Sequence, residues 1–482
     1  MNLLHQKIGF LLLFSVCNMP IQANIVQSSK NQINKLIAPT PDTDIFNVKV
    51  SALSHFELDT QKIDELDLAS PQYAKKQQNL TLNEAILVAI QRHPDILQSI
   101  SNLASQSANI DIAKSNYFPQ LSGGLKTADL TSTDRDQHLV NFTVRQLVYD
   151  FGKIKNSVNI EQARLMAEQA NVLVSIDQIA YQVATTIINI QRYQEICRIA
   201  QEQVYGVAKI AEITNLRAQA GISSQADPVQ ALANLESAES NLIVQQTQLR
   251  QQQQRLRTLL GFETKQSKWD IPERIIQQSN LYTKPIFNEI PAIMAAYAEI
   301  QVAKFRKEEA RLTPYPTVNL LGSVNLNTSN LRKNNNADNY VMLEVNSNLY
   351  QGGAVQSQLR AATYAEEAAK ARVNSTYLDV LDETRILKEE IDNKQRQLLL
   401  LLQRKKTTIR TKELYQEQYK LGTRTAVDLL NAEQAIHSAA QEIENTRFDI
   451  YAAISRYIFI TGRTRDVYDL NHISIQGFQV QP

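Results

Sequence analysis

The side chains with most scope for chemistry are six histidines, two cysteines and two carboxylates that follow paired glycine turns. His5, His55, His93, His138, His437 and His472 stand apart. None lies in the H-E-x-x-H spacing that sets two imidazoles on one helix face around zinc, and neither G-x-G-x-x-G nor G-x-x-x-x-G-K-[ST] is present to cradle a phosphate. Lone histidines of this kind are expected at the surface or at helix caps. Cys197 falls on an apolar heptad seam and is expected as a core residue rather than a reactive thiol. Ser224-x-x-Asp227 and Thr425-x-x-Asp428 both have the spacing of a capping box, in which hydroxyl and carboxylate satisfy the free N–H groups of a helix start. This inventory contains no catalytic cluster and no metal set. The expectation is a protein that is not an enzyme and takes no cofactor.

The elements that must position Asp227 and Asp428 are long helices. Residues 153–220 contain no proline and one glycine, and residues 354–421 contain neither; at 1.5 Å per residue each segment would run about 100 Å. Each is followed by a glycine, Gly221 or Gly422, suited to the left-handed residue after a helix, and a second helix (228–260 or 426–461) returns. Ile176, Ile179, Val183, Thr186, Ile190, Tyr193 and Cys197 follow alternating steps of three and four, as do Val373, Tyr377, Val380, Thr384, Leu387, Ile391, Leu398 and Leu401, with Lys394 interrupting. That spacing is a coiled-coil seam. The Gln251 to Gln254 run keeps the helical period and is expected to be a solvated face.

The two long helices belong to an internal duplication. Pro94 and Pro119 recur 197 residues later as Pro291 and Pro316, while Tyr149, Gly152, Gly221, Asp227 and Gly261 recur 201 later as Tyr350, Gly353, Gly422, Asp428 and Gly462. The repeats span 80–262 and 286–463, linked by 263–285 and followed by a tail, 464–482. In each repeat a helix ends at a proline and a strand pair follows, about 118–149 and about 316–350. Val318, Leu320, Gly322, Val324 and Leu326 alternate with mostly polar neighbours, as do Val140, Phe142 and Val144 and, in the last strand, Val341, Leu343 and Val345. Sharp turns at Gly152 and at Gly352-Gly353 connect strands to long helices.

With 50 Lys+Arg against 49 Asp+Glu, no basic excess points to nucleic acid. No run of 18 apolar residues exists for a helical membrane span, but a β-barrel leaves no such run. Residues 1–23 read as a signal peptide, with Lys7, an apolar stretch from Ile8 to Val16 and a small residue at Ala23; Cys17 offers a disfavoured lipoprotein alternative. Residues 24–79 are polar and aperiodic and read as an irregular extension. Four strands cannot close a membrane barrel, so strands that span a membrane require partner chains.

The motifs Leu80-Thr81-Leu82-Asn83-Glu84-Ala85, Tyr117-Phe118-Pro119, Val148-Tyr149-Asp150-Phe151-Gly152, Leu349-Tyr350-Gln351-Gly352-Gly353 and Tyr419 to Leu430 (YKLGTRTAVDLL) resemble the TolC family of outer-membrane export channels over about 80–463. The resemblance implies a mainly α fold with a β-barrel part: a homotrimer whose twelve strands form one barrel in the outer membrane of a Gram-negative bacterium. Twelve helices continue it as a coiled-coil tunnel in the periplasm. Implied partners are outer-membrane lipid, a periplasmic adaptor (membrane fusion protein) and an inner-membrane ABC or other pump. Tyr419, Arg424 and Asp227 match the family's gate tethers, Asp428 a pore-entrance carboxylate ring, and Asn431 stands where a second ring residue is often Asp. Gly221 and Gly422 become the tunnel-tip turns. The sequence around 149–152 favours type I protein secretion; multidrug efflux is the alternative, and a periplasmic adaptor protein fits the duplicated strand-helix plan less well.

Overall fold

The computed structural model describes residues 80–127, 138–264, 269, 275–276, 279–327, 338–348, 350–475 and 477–480. The expected signal peptide and extension, both hairpin tips, Leu349 and much of the 263–285 link lie outside the described residues. The elements in order are α1 (Leu82–Arg92), α2 (Pro94–Ser115), β1 (Gln120–Thr127), β2 (His138–Tyr149), α3 (Lys153–Gln219) and α4 (Ala226–Leu260). A 3-10 turn (Phe287–Glu289) opens the second half, followed by α5 (Pro291–Leu312), β3 (Thr317–Asn327), β4 (Asp338–Asn346), α6 (Ala354–Lys420), α7 (Ala426–Ile460) and α8 (Thr464–Val467). The chain finishes with β5 (Ser474–Ile475) and β6 (Phe478–Gln479).

Where one helix was expected before the first strand pair, proline divides it. His93 ends α1, and its Nδ1 accepts the Asp95 N–H at 3.3 Å to cap α2, with Pro94 in the first turn where its missing N–H is harmless. The two 67-residue helices α3 and α6 correspond to about 100 Å each. They are buried differently. The middle of α3 is covered on most sides, by α1, α2, α4 and α7, so Val172, Ile176, Ile179, Val183, Ala184, Ile187 and Ile190 are all core. In α6, which packs mainly on α7 and α5, burial is confined to one stripe: Val373, Val380, Thr384, Leu387, Ile391 and Leu401.

The seam of α3 departs from its expected course near the end. Cys197 is only half-buried and Ile196 and Ile199 take the core positions, because the neighbours that cover α3 change along its length and the covered face drifts off the strict seven-residue seam. Lys394, the interruption in α6, ion-pairs with Asp449 of α7 at 2.6 Å. The segment expected as a plain tail is instead built into the main core. Val467, Tyr468, Leu470, Ile475, Phe478 and Val480 are buried there with Trp269 and Tyr457.

The four long strands form one antiparallel sheet in the order β1-β2-β3-β4, so β2 and β3 join the two repeats. Register puts Leu121, Val144, Gly322 and Val341 in one row, and Gly123, Phe142 and Val324 in the next. Leu320 faces Leu343 and Val318 faces Val345 on that same side. The opposite side carries Ser122, Thr143, Ser323 and Tyr340 in one row, and Arg145, Leu321 and Met342 in another. The apolar side is the more open one: Leu125 is 79% exposed and Leu343 62%, against 41% for Tyr340 and 45% for Met342 on the other. Among the described residues β1 and β4 are paired along one edge only.

Candidate functional site at the helix turns

Both long helices end in the same backbone motif. The Gly221 N–H donates to Ala218 O (3.0 Å) and Ile222 N–H to Arg217 O (2.9 Å); in the second repeat Gly422 N–H donates to Tyr419 O (3.1 Å) and Thr423 N–H to Gln418 O (3.0 Å). Gly221 has φ 70° and Gly422 φ 76°, the left-handed conformation this Schellman motif needs.

The helices that return from the turns start differently. Thr425 and Asp428 form the expected capping box: Thr425 Oγ1 accepts the Asp428 N–H, and Asp428 Oδ2 accepts from Thr425 N–H (3.2 Å) and Thr425 Oγ1 (2.9 Å). These bonds, with Arg424 beside them, hold the Asp428 carboxyl below its usual range. The box expected at Ser224 and Asp227 does not form. Pro228 would be its fourth helical residue, where it lacks the N–H for Ser224 O and its ring would strike that carbonyl. The chain instead starts α4 at Ala226, with Pro228 in the first turn, Ser224 Oγ accepting the Ala226 N–H and Ser224 O the Asp227 N–H. The Asp227 side chain is thereby released from capping.

Arg424 lies between the turn and its own helices. Its Nε donates to Gln418 Oε1 (3.0 Å), its guanidinium covers the Tyr415 ring at 4.5 Å, and Nη1 is 3.9 Å from Asp428 Oδ2. Within one chain it therefore does not bond Asp227. Tyr419 is 5% exposed, and its hydroxyl has no hydrogen-bond partner among the described residues. The Arg217 guanidinium of α3 sits 4.8 Å over the Tyr419 ring. Burial pushes the Tyr419 phenol up; Arg217 works against that and Asp227, near enough to act electrostatically, adds to it. Asp428 and Asn431 lie one turn apart on α7, Asp428 half-buried and Asn431 exposed. Tyr419, Ala426, Leu429 and Leu430 pack with Val207 and Ile210 of α3 and Ala231 of α4, an apolar cluster that closes the two helix pairs together. Arg217 was not anticipated, since its partner is 202 positions away and only the fold joins them.

At the other end of α3, Asp150 takes a role the glycine pattern alone did not expose. Its Oδ1 accepts Gly152 N–H (2.9 Å) and its Oδ2 Ile154 N–H (2.6 Å), closing the strand-to-helix turn. Phe151 (φ 58°) and Gly152 (φ 89°) are left-handed there, as are Gly352 and Gly353 in the second repeat. The Phe151 ring rests on Tyr149 and Tyr315.

Comparison with known proteins matches this architecture. The family model "Outer membrane efflux protein" matches residues 85–262 and 287–463. The chain is 21% identical over 399 residues to outer membrane efflux protein BepC of Brucella suis, covering 80% of this chain and 85% of the relative. It is 22% identical to outer membrane protein TolC of Escherichia coli, covering 74% and 77% of the two. Among solved structures, outer membrane protein VceC of Vibrio cholerae has a similar fold, with a TM-score of 0.69 at 18% identity over 82% of this chain and 98% of that one. The chain belongs to the outer membrane efflux protein family, the TolC family of channels.

Proposed function

We propose that the chain is the outer-membrane duct of an export system, in which three copies merge their sheets into a twelve-stranded barrel continued by their long helices across the periplasm. Members of the family are transport channels, not enzymes. The observation that carries the assembly reading is the sheet: one side is mostly apolar and the more open, the other carries more polar residues, and among the described residues its two outer edges are unpaired. A lipid-facing barrel wall has this polarity. A periplasmic adaptor and an inner-membrane pump would engage the helical end. The resemblance around Tyr149 to Gly152 favours type I protein secretion over small-molecule efflux, and comparing the exported proteins of a deletion strain with its drug susceptibility distinguishes them. Loss of drug resistance with an unchanged secretome would overturn the secretion reading.

In this reading Tyr419, Arg424 and Asp227 tether the entrance and Asp428 rings it with one charge per copy, Asn431 adding none. Two features support the assignment: Asp227 is free of capping, and the Tyr419 hydroxyl is buried with no hydrogen-bond partner among the described residues. Exposed ion pairs contribute about 0–1 kcal/mol each, weak enough for a partner to release. Arg424→Ser should raise the conductance of the purified channel in planar bilayers without lowering trimer yield. Parent-like conductance with an earlier-melting trimer would make these residues structural only.

A further inference from the structure

Toward the turns, α7 packs against α3 on one side and α6 on the other. Polar contacts cross the α3–α7 seam at several points. Asp449 bonds Arg192 at 2.8 Å, Gln434 accepts from Gln203, and nearer the turn lies Glu433. The Glu433 side chain is 3% exposed, about two turns into α7. It ion-pairs with Lys412 of α6, and its Oε1 is 3.1 Å from His437 Nε2. His437 is therefore no surface or capping histidine, as its isolation in the sequence suggested, but a buried partner.

The third side of this carboxylate is Gly206, the one glycine inside α3. A Cβ built there would overlap the carboxylate and stand 2.7 Å from Glu433 Cδ. Glycine is unfavourable within a helix, so its presence in a 67-residue helix at the point where a buried charge arrives has a steric reason. Burial opposes ionisation of Glu433, but the bonds from His437 and Lys412 outweigh it and hold its carboxyl below the usual range. Immediately toward the turn comes the apolar cluster of Val207, Ile210, Tyr419, Leu429 and Leu430. Those side chains must part if the helix pairs are to separate.

We propose that Glu433 is a positioning residue of the entrance: seated on the bare backbone of Gly206 and held by Lys412 and His437, it pins the α6–α7 pair to α3 and limits how far the turn ends separate. The proposal rests on the channel reading. The pin acts by geometry and charge together. Removing the charge leaves Lys412, which is partly exposed, to turn toward water, while filling the glycine site pushes the carboxylate out of its seat.

Planar-bilayer conductance of the full-length protein, paired with thermal melting of the assembled channel, tests this. Glu433→Gln and Gly206→Ala should each raise conductance severalfold over the parent, and Lys412→Met should do so to a smaller extent. The double variant Gly206→Ala/Glu433→Ala removes the overlap, so it should regain thermal stability relative to Gly206→Ala while conducting as much as Glu433→Gln. A double variant that conducts like the parent would mean that only packing matters, and the pin would be wrong. Parent-like conductance of Glu433→Gln and Lys412→Met would overturn it equally, and Lys412→Met carries that test if the core variants do not assemble. Arg424→Ser in the same experiment separates the two readings: if it opens the channel and the Glu433 variants do not, the pin fails and the channel stands. A parent that never conducts removes both.

Discussion

At the scale of single residues, a buried carboxylate in α3 sets a pH dependence. Asp177 is 2% exposed, and desolvation pushes its pKa up to about 7; Arg465, 3.9 Å away, works against the shift, and Asp466 adds to it. In the unfolded chain the group titrates near its ordinary value of 3.8, so over the interval up to about 7 the folded chain holds a proton that the unfolded chain has lost. The stabilisation from this proton is complete below the unfolded value and disappears as pH rises through the folded one. Asp177→Asn, a near copy of the neutral acid, should melt somewhat later than the parent at pH 5 and by a larger margin at pH 8. A variant that melts early at both values would show that the ionised Asp177–Arg465 pair stabilises the fold. None of this was legible in the sequence, where Asp177 is one acid among 49 and its partner lies on α8. By contrast, the glycine turns and the Thr425–Asp428 box were legible because each is decided within six residues. The Ser224–Asp227 box fails for an equally local reason: its hydroxyl and carboxylate have the right spacing, but the proline that follows overrides them.

At the scale of elements, the two repeats share a plan and differ in how their long helices begin. The first turn of α3 is closed by Asp150, whereas Gln351 stands at the equivalent place in the second repeat and the start of α6 has no side-chain cap. Losing a cap typically costs about 1 kcal/mol, which for local opening corresponds to roughly fivefold faster exchange. Asp150→Ala should accordingly speed hydrogen exchange at the Ile154 amide and leave the first turn of α6 unchanged. Equal acceleration in both turns would indicate a global loss of stability instead. The helices and strands were readable from periods of about 3.6 and of 2, since each pattern repeats many times over. The C-terminal segment was not. Its strands are two residues each, too short for any period, and it is ordered by burying Tyr468, Leu470, Ile475 and Phe478 against helices from both repeats. The drift at Cys197 has a related cause: the heptad pattern names a stripe, but several neighbours of α3 together choose which residues are covered.

At the scale of the whole molecule, the sheet and the long helices leave one chain incomplete in the same direction. Among the described residues β1 and β4 each present an edge of unpaired N–H and C=O groups; in hydrocarbon each unsatisfied group would cost several kcal/mol, so an open four-stranded sheet cannot remain there alone. The helices repeat the pattern, with Leu399, Leu400 and Leu402 of α6 and Ile243 and Val244 of α4 apolar and exposed in the single chain. Three copies supply twelve strands, wide enough for an aqueous lumen, whereas two supply eight and a lumen that side chains fill. Mass measurement in mild detergent should therefore return a trimer. The two sides of the sheet give a sharper test on adjacent residues of β4. Leu343 is on the outer apolar side and Glu344 on the other, opposite Asn319. A lysine near the bilayer midplane on the lipid face of a barrel costs about 2–4 kcal/mol, and one facing the lumen far less. Leu343→Lys should sharply reduce the heat-resistant trimer recovered from outer membranes, while Glu344→Lys should assemble normally and shift the ion selectivity of the channel toward anions. If the two substitutions harmed assembly equally, or if Glu344→Lys were the worse, the apolar side would face a protein partner or the lumen and the barrel reading would fail.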